Sequence, residues 1–286
     1  MTVHFDKVAI VGVGLIGGSL AMVMREKGLA SHIIGIGRGV QNLKDALRLG
    51  IVDEYTTDLI AGVKGANLVV LATPVCSTLE ITKQISQHLD EGAIITDVGS
   101  VKDEIIQAVE HSTPDGLFFV AGHPIAGTEN SGAKAAFSTL FKEMRCILTP
   151  TEKTDSDALE KIKNLWEQAG SNVIIMSPED HDRILAVVSH LPHLVAYSLV
   201  NSLLGMKDSN DVLKYCAGGF KDFTRIASSS PEMWRDIFLL NKDKILETVS
   251  KFQESIEKLK DLIESEDGQG ILDELKRAAS VRELIK

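Results

Sequence analysis

Lys7-Val8-Ala9-Ile10-Val11-Gly12-Val13-Gly14-Leu15-Ile16-Gly17-Gly18-Ser19-Leu20 decides how the chain folds. An apolar, β-rich run leads directly into Gly12-x-Gly14-x-x-Gly17, and the residues beyond it have the pattern of a helix. In such a strand, turn and helix, one glycine permits the tight turn and one lets backbone amides approach a pyrophosphate. The third lets the helix pack closely on the strand. Free N–H groups at the helix start favour an anion. The motif predicts a dinucleotide site at Gly12, Gly14, Leu15, Ile16 and Gly17. Val8–Met24 lacks charge, but its 17 residues and four glycines suit a buried strand, turn and helix better than a membrane or signal segment.

Outward from this motif, strands are expected at Lys7–Val13, His32–Gly37, Ala66–Ala72, Ala93–Asp97, Leu117–Ala121, Arg145–Thr149 and Asn172–Met176. Several are continuous apolar runs, as in a parallel sheet covered on both faces, and helical stretches alternate with them. This pattern predicts an α/β Rossmann-type doubly wound domain over residues 1–176. From Ser177 the strand-like runs stop, and an all-α helical domain is expected over 177–286. Ser177-Pro178-Glu179-Asp180 is a helix start, and that helix should run to about Leu204 with a kink near Pro192. Another helix should begin at Ser230-Pro231. It carries a stripe of Ile245, Val249, Phe252, Ile256, Leu259 and Ile263, which is either a core face or a seam for a second subunit.

The second strand ends in Gly35-Ile36-Gly37-Arg38, with no carboxylate between Glu26 and Asp45 to bind the ribose hydroxyls of NAD. Arg38 could instead meet a 2′-phosphate, so NADP is favoured and NAD stays possible, with Arg38 then merely solvated. Thr73 and Pro74 follow the third apolar run. Thr73 either touches the ribose or caps the next helix. A formal charge of −10 over 286 residues argues against nucleic acid or anionic membrane as partners. Three separated cysteines fit neither a disulfide framework nor a metal site, and the expected location is the cytoplasm.

Asp97-Val98-Gly99-Ser100-Val101-Lys102 and Gly122-His123-Pro124-Ile125-Ala126-Gly127-Thr128-Glu129 both follow strand ends, where open α/β sheets bind ligands. A histidine there is a candidate acid or base. With Ser189-His190-Leu191-Pro192-His193 and the segment Gly218–Ile237, these motifs resemble the prephenate dehydrogenase family, including its arogenate and cyclohexadienyl members, over nearly the whole chain. The resemblance implies oxidative decarboxylation of prephenate to 4-hydroxyphenylpyruvate and CO2 in tyrosine biosynthesis, with arogenate as the alternative substrate, in a homodimer formed by the helical domain.

Carried over by position, the resemblance implies that His123 is the base or hydrogen-bond acceptor for the ring hydroxyl, with Ser100 beside it and His193 as a second active-site histidine. It makes Arg225 the ligand of a substrate carboxylate, with Asp222 and Glu129 as its ionic neighbours, and it lines the pocket with Thr128 and Trp234. His190 is read as a packed structural histidine. No added chorismate mutase or regulatory domain is expected, so any inhibition by tyrosine would act at the active site. Two rival readings fit the sequence less well. A β-hydroxyacid dehydrogenase needs a lysine with asparagine four residues on, but Lys242 is followed by Leu246. A catalytically silent NADP-binding sensor would not need His123, Ser100 and Arg225 together.

Overall fold

The computed structural model describes residues 3–128, 130–205 and 212–285. Strand β1 (Phe5–Val11) is followed by helix α1 (Leu15–Glu26) and pairs in parallel with β2 (Ala30–Ile36) on one side and β4 (Leu68–Leu71) on the other. β3 (Glu54–Thr56), β5 (Ile94–Asp97) and β6 (Phe118–Val120) complete a parallel sheet of order β3-β2-β1-β4-β5-β6. Strand order reverses between β1 and β4, and there the loops leaving the strands diverge and open a crevice.

Alternate residues of the central strands serve opposite cores. Val8, Ile10, Leu68 and Val70 pack with α1, α2 (Val40–Arg48) and α6 (Ser156–Gln168). Ala9, Val11, Val69 and Leu71 pack with α3 (Leu59–Val63), α4 (Thr78–Ile85) and α5 (Asp103–Glu110). Burial on both faces explains the continuous apolar runs.

Five of the seven expected strands enter this sheet. The other two, β8 (Arg145–Leu148) and β9 (Asn172–Ile175), form a separate three-stranded sheet with β7 (Gly122–Pro124), which lies antiparallel to β8. Gly122-His123-Pro124 is therefore an edge strand, not a loop. Its sequence has little β-propensity, and its proline is tolerated because the strand is at an edge. β3 lacks an apolar run because it lies at the margin of the main sheet.

The helical part opens with α7 (Pro178–Leu185), capped by Ser177, whose hydroxyl accepts from the Asp180 N–H. A π-helical turn, Ala186–His190, joins it to α8 (Leu191–Leu204). The kink expected at Pro192 takes this form: the wide turn absorbs the mismatch left by a residue without an N–H. Pro178–Leu204 is long and apolar enough, by length and composition, to cross a membrane, with mean hydropathy 1.4. It also carries His181, Asp182 and His190, all buried against protein.

After α9 (Gly218–Thr224) and a 3-10 turn (Arg225–Ser228), the single helix expected from Ser230 is divided into α10 (Pro231–Leu240) and α11 (Lys242–Glu264). The break is Asn241, whose buried Nδ2 donates to the Asp182 carbonyl at 2.8 Å and faces His190 Nδ1 at 3.1 Å. The last helix is α12 (Gly268–Glu283). On α11 the apolar stripe leaves the core as it proceeds, from buried Ile245 to Ile256 and Ile263, which are 46% and 62% exposed. α10 inserts Trp234 and Ile237 into the core that contains α3, α4 and α5, so the two parts share packing.

Candidate active site

The crevice between β1 and β4 is a cavity of about 640 Å³ lined by Gly12, Gly14, Arg38, Thr73, Pro74 and Gly132, among others. Gly12 has φ +97°, and a Cβ there would lie 2.4 Å from the Ala72 carbonyl oxygen. A Cβ on Gly17 would lie 2.3 Å from the Gly12 carbonyl oxygen, so this glycine sets the approach of α1 to β1. Leu15 and Ile16 turn their side chains into or against the core. Neither is among the residues lining the cavity, and what they offer at its edge is the N–H groups of the first helical turn, which have no partner within the helix. An open turn, free amides and a helix N-terminus fit a dinucleotide's phosphates.

Arg38 is exposed at the cavity margin and makes no ion pair among the described residues. The Thr73 hydroxyl is buried without a hydrogen-bond partner among the described residues, and the following turn is entered through Pro74 with no side-chain cap. The capping alternative for Thr73 is thereby removed.

Beside the crevice, Asp97 at the end of β5 organises both substrate-side segments. Its carboxylate accepts from the N–H of Gly99 at 2.9 Å and of Gly122 at 3.2 Å, and it holds the Lys102 ammonium. One side chain thus ties down the residues preceding Ser100 and His123. Ser100 is half-buried, and its hydroxyl makes no hydrogen bond among the described residues.

His123 is partly exposed. Its Nδ1 lies 2.8 Å from His181 Nε2, and His181 Nδ1 lies 2.7 Å from Asp182 Oδ1. Asp182 also accepts from the N–H groups of Lys102 and Asp103, both at 2.9 Å. Desolvation, reinforced by His181, Lys102 and His190, holds the His123 imidazole well below its ordinary value. Burial also lowers His181, against the opposing pull of Asp182.

His193 stacks on Trp234 with ring centroids 3.7 Å apart, and its Nδ1 faces the Ser189 carbonyl at 2.9 Å, leaving Nε2 without a hydrogen-bond partner among the described residues. Burial lowers its pKa, and the Arg225 guanidinium lowers it further. Trp234 is buried, with its indole N–H unpartnered among the described residues. Arg225 and Asp222 are both exposed and form no ion pair with each other, contrary to the expected neighbourhood. They lie on consecutive turns, α9 and the 3-10 segment, where solvent competes for both charges. Thr128 is exposed rather than enclosed, and its hydroxyl accepts from the Asn130 N–H at 3.2 Å, closing a local turn. Glu129 lies outside the described residues. His190 is 1% exposed and packs edge-on to Trp234, as a structural histidine would.

Sequence reasoning missed Asp97, Lys102, His181, Asp182 and Asn241. Asp97 and Lys102 stand in a quoted motif, and a charged pair around an apolar run was the available signal. His181 and Asp182 were masked by the acidic first turn of their helix.

The fold and its glycine-lined crevice define a dinucleotide-binding protein of the doubly wound α/β class. Residues 20–175 match the prephenate dehydrogenase nucleotide-binding domain, and 177–277 match the prephenate dehydrogenase dimerization domain. The chain belongs to the prephenate dehydrogenase family. It is 40% identical over 280 residues to a prephenate dehydrogenase of Bacillus subtilis, covering 97% of this chain and 76% of that one. It is 36% identical over 290 residues to a cyclohexadienyl dehydrogenase of Zymomonas mobilis, covering 100% and 98%. A prephenate dehydrogenase from Aquifex aeolicus, solved with hydroxyphenyl propionate and NAD+, superposes with a TM-score of 0.94 at 42% identity and full coverage of both chains.

Proposed function

We propose that this chain oxidises prephenate to 4-hydroxyphenylpyruvate and CO2, with NADP preferred over NAD, as a cytoplasmic homodimer in tyrosine biosynthesis. The observation that supports the reading is that Asp97 holds Gly99 and Gly122, the residues immediately before Ser100 and His123, beside the dinucleotide crevice. A dinucleotide held at Gly12, Gly14 and Gly17 would supply the hydride acceptor for the ring carbon that bears the hydroxyl. His123 accepts the hydroxyl proton at Nε2, with Ser100 near the same oxygen. The ring carboxylate leaves as CO2, its bonding electrons complete the aromatic ring, and the product oxygen recovers a proton from His123.

Arg225 grips a substrate carboxylate, which a chain of net charge −10 would otherwise repel. His193, stacked on Trp234, supplies a second imidazole at the pocket. Thr128 and Asp222 belong to its mouth. The NADP preference is supported by Arg38 at the crevice margin, free of any ion pair among the described residues. The exposed stripe on α11 supports a subunit seam. Tyrosine, which resembles the product, would inhibit by entering the same pocket.

Arogenate is the second reading, favoured by the likeness to a cyclohexadienyl dehydrogenase. The deciding experiment measures reduced-cofactor formation with prephenate and arogenate, each with NAD and NADP. Turnover of prephenate with NADP as the better cofactor is expected, and no turnover of either substrate would overturn the proposal.

A further inference from the structure

We propose that His181 and Asp182 are positioning residues that hold His123 in the one tautomer able to take the substrate's proton. The inference rests on the reading of His123 as the base.

The argument starts from Asp182, because an ionised carboxylate only accepts hydrogen bonds. At 2.7 Å from Asp182 Oδ1, His181 Nδ1 must carry hydrogen. In a neutral imidazole the other nitrogen is then a bare acceptor. That nitrogen, His181 Nε2, lies 2.8 Å from His123 Nδ1, so His123 must donate there. The hydrogen on His123 is thereby committed to Nδ1, and Nε2 keeps its lone pair for the substrate hydroxyl. When the substrate O–H breaks, the new N–H forms at Nε2, and the imidazolium retains its Nδ1–H on His181. A base oriented by a third group through its rear nitrogen is a recurrent solution in nucleophilic and proton-transfer sites.

The pair is built to stay in place. His181 is 0% and Asp182 2% exposed, so water does not compete for their hydrogen bonds. Asp182 is held by the Lys102 and Asp103 N–H groups, and its own carbonyl is held by Asn241. The charged and titratable groups facing His181 are Asp182, Lys102 and Asp97, with His123 and His190 adjoining. Burial favours neutral His181. Protonated His181 would reverse the central hydrogen bond and leave His123 with its hydrogen on Nε2, a donor where an acceptor is needed.

A mere clip between the two halves of the chain would explain the contacts of Asp182 but not a dependence of the His123 tautomer on His181. Two measurements separate these roles. In the full chain labelled with 15N-histidine, with and without NAD+, His123 should show protonated Nδ1 and unprotonated Nε2, and the opposite pattern overturns the proposal. In kinetics, His181→Leu should lower kcat about 10–100-fold while KM for prephenate stays within about threefold. His181→Gln, whose amide oxygen can accept from His123 Nδ1, should recover kcat to within about fivefold of wild type. Undiminished kcat in His181→Leu, or a Gln variant as impaired as Leu, overturns it. If His123→Asn is inactive while His181→Leu is not, only the positioning role falls. If His123→Asn keeps wild-type turnover, the base assignment itself falls.

Discussion

The Asp97 carboxylate binds the Lys102 ammonium with both side chains at 0% exposure. Removing one partner of such a pair leaves an uncompensated buried charge, which costs more than the pair contributes when intact. Lys102→Met should therefore lose about 3–5 kcal/mol of unfolding free energy in denaturant titrations. It should also lower kcat, because the same carboxylate holds Gly99 and Gly122. A variant as stable as wild type would show that the pair does not hold the fold together.

Arg38→Asp should reverse cofactor preference. A carboxylate at the crevice margin accepts hydrogen bonds from the ribose hydroxyls and repels a 2′-phosphate. The ratio of kcat/KM for NADP to that for NAD is the measurement, and a wild-type ratio below one would leave Arg38 as a solvated side chain.

His123→Asn should reduce kcat by about 10²–10⁴-fold, the usual contribution of a general base, with cofactor affinity nearly unchanged. Because desolvation lowers His123, wild-type kcat/KM should stay on its plateau to below pH 6.5 before the acid limb begins. A limb that begins above that value would exclude His123 as its origin.

Arg225→Ala should act mainly on KM, since the carboxylate it meets persists through hydride transfer. The exposed guanidinium has room to close on an arriving anion. A loss of about 2–3 kcal/mol in kcat/KM is expected for a charge-assisted contact. An unchanged KM for prephenate would take Arg225 out of the site.

Acid should destabilise the fold through His190. Its pKa is lowered from 6.5 to about 4, chiefly by burial, so the unfolded chain binds the proton more readily than the folded one. The stabilisation is complete above pH 6.5 and is lost as pH falls from 6.5 towards 4. Over that window it amounts to roughly 3 kcal/mol. His190→Gln should flatten this part of the curve of unfolding free energy against pH, and an equal slope in wild type and variant would assign it to other groups.

The parallel sheet was legible because strands buried on both faces must be apolar throughout, as Val8–Val11 and Leu68–Leu71 are. Glycines at Gly12 and Gly17 were equally legible, since a Cβ at either would overlap a backbone carbonyl oxygen. Gly122-His123-Pro124 could not be read as a strand, because its pairing with β8 is tertiary and its residues have no local preference for it. The same holds for His181. Nothing near residue 181 announces that its ring will meet a ring 58 positions earlier, which is set by how α7 docks at the start of α5. The break at Asn241 was hidden for a related reason, as a buried amide between two partners replaces what looked like one continuous amphipathic helix.

The dinucleotide crevice is lined entirely by residues between Val11 and Gly132, whereas the hydrogen bonds behind His123 come from His181 and Asp182. Holding the cofactor and using it are therefore encoded in separate stretches of the chain, and a change in one stretch alters the grip on the dinucleotide without touching the hydrogen bonds behind His123.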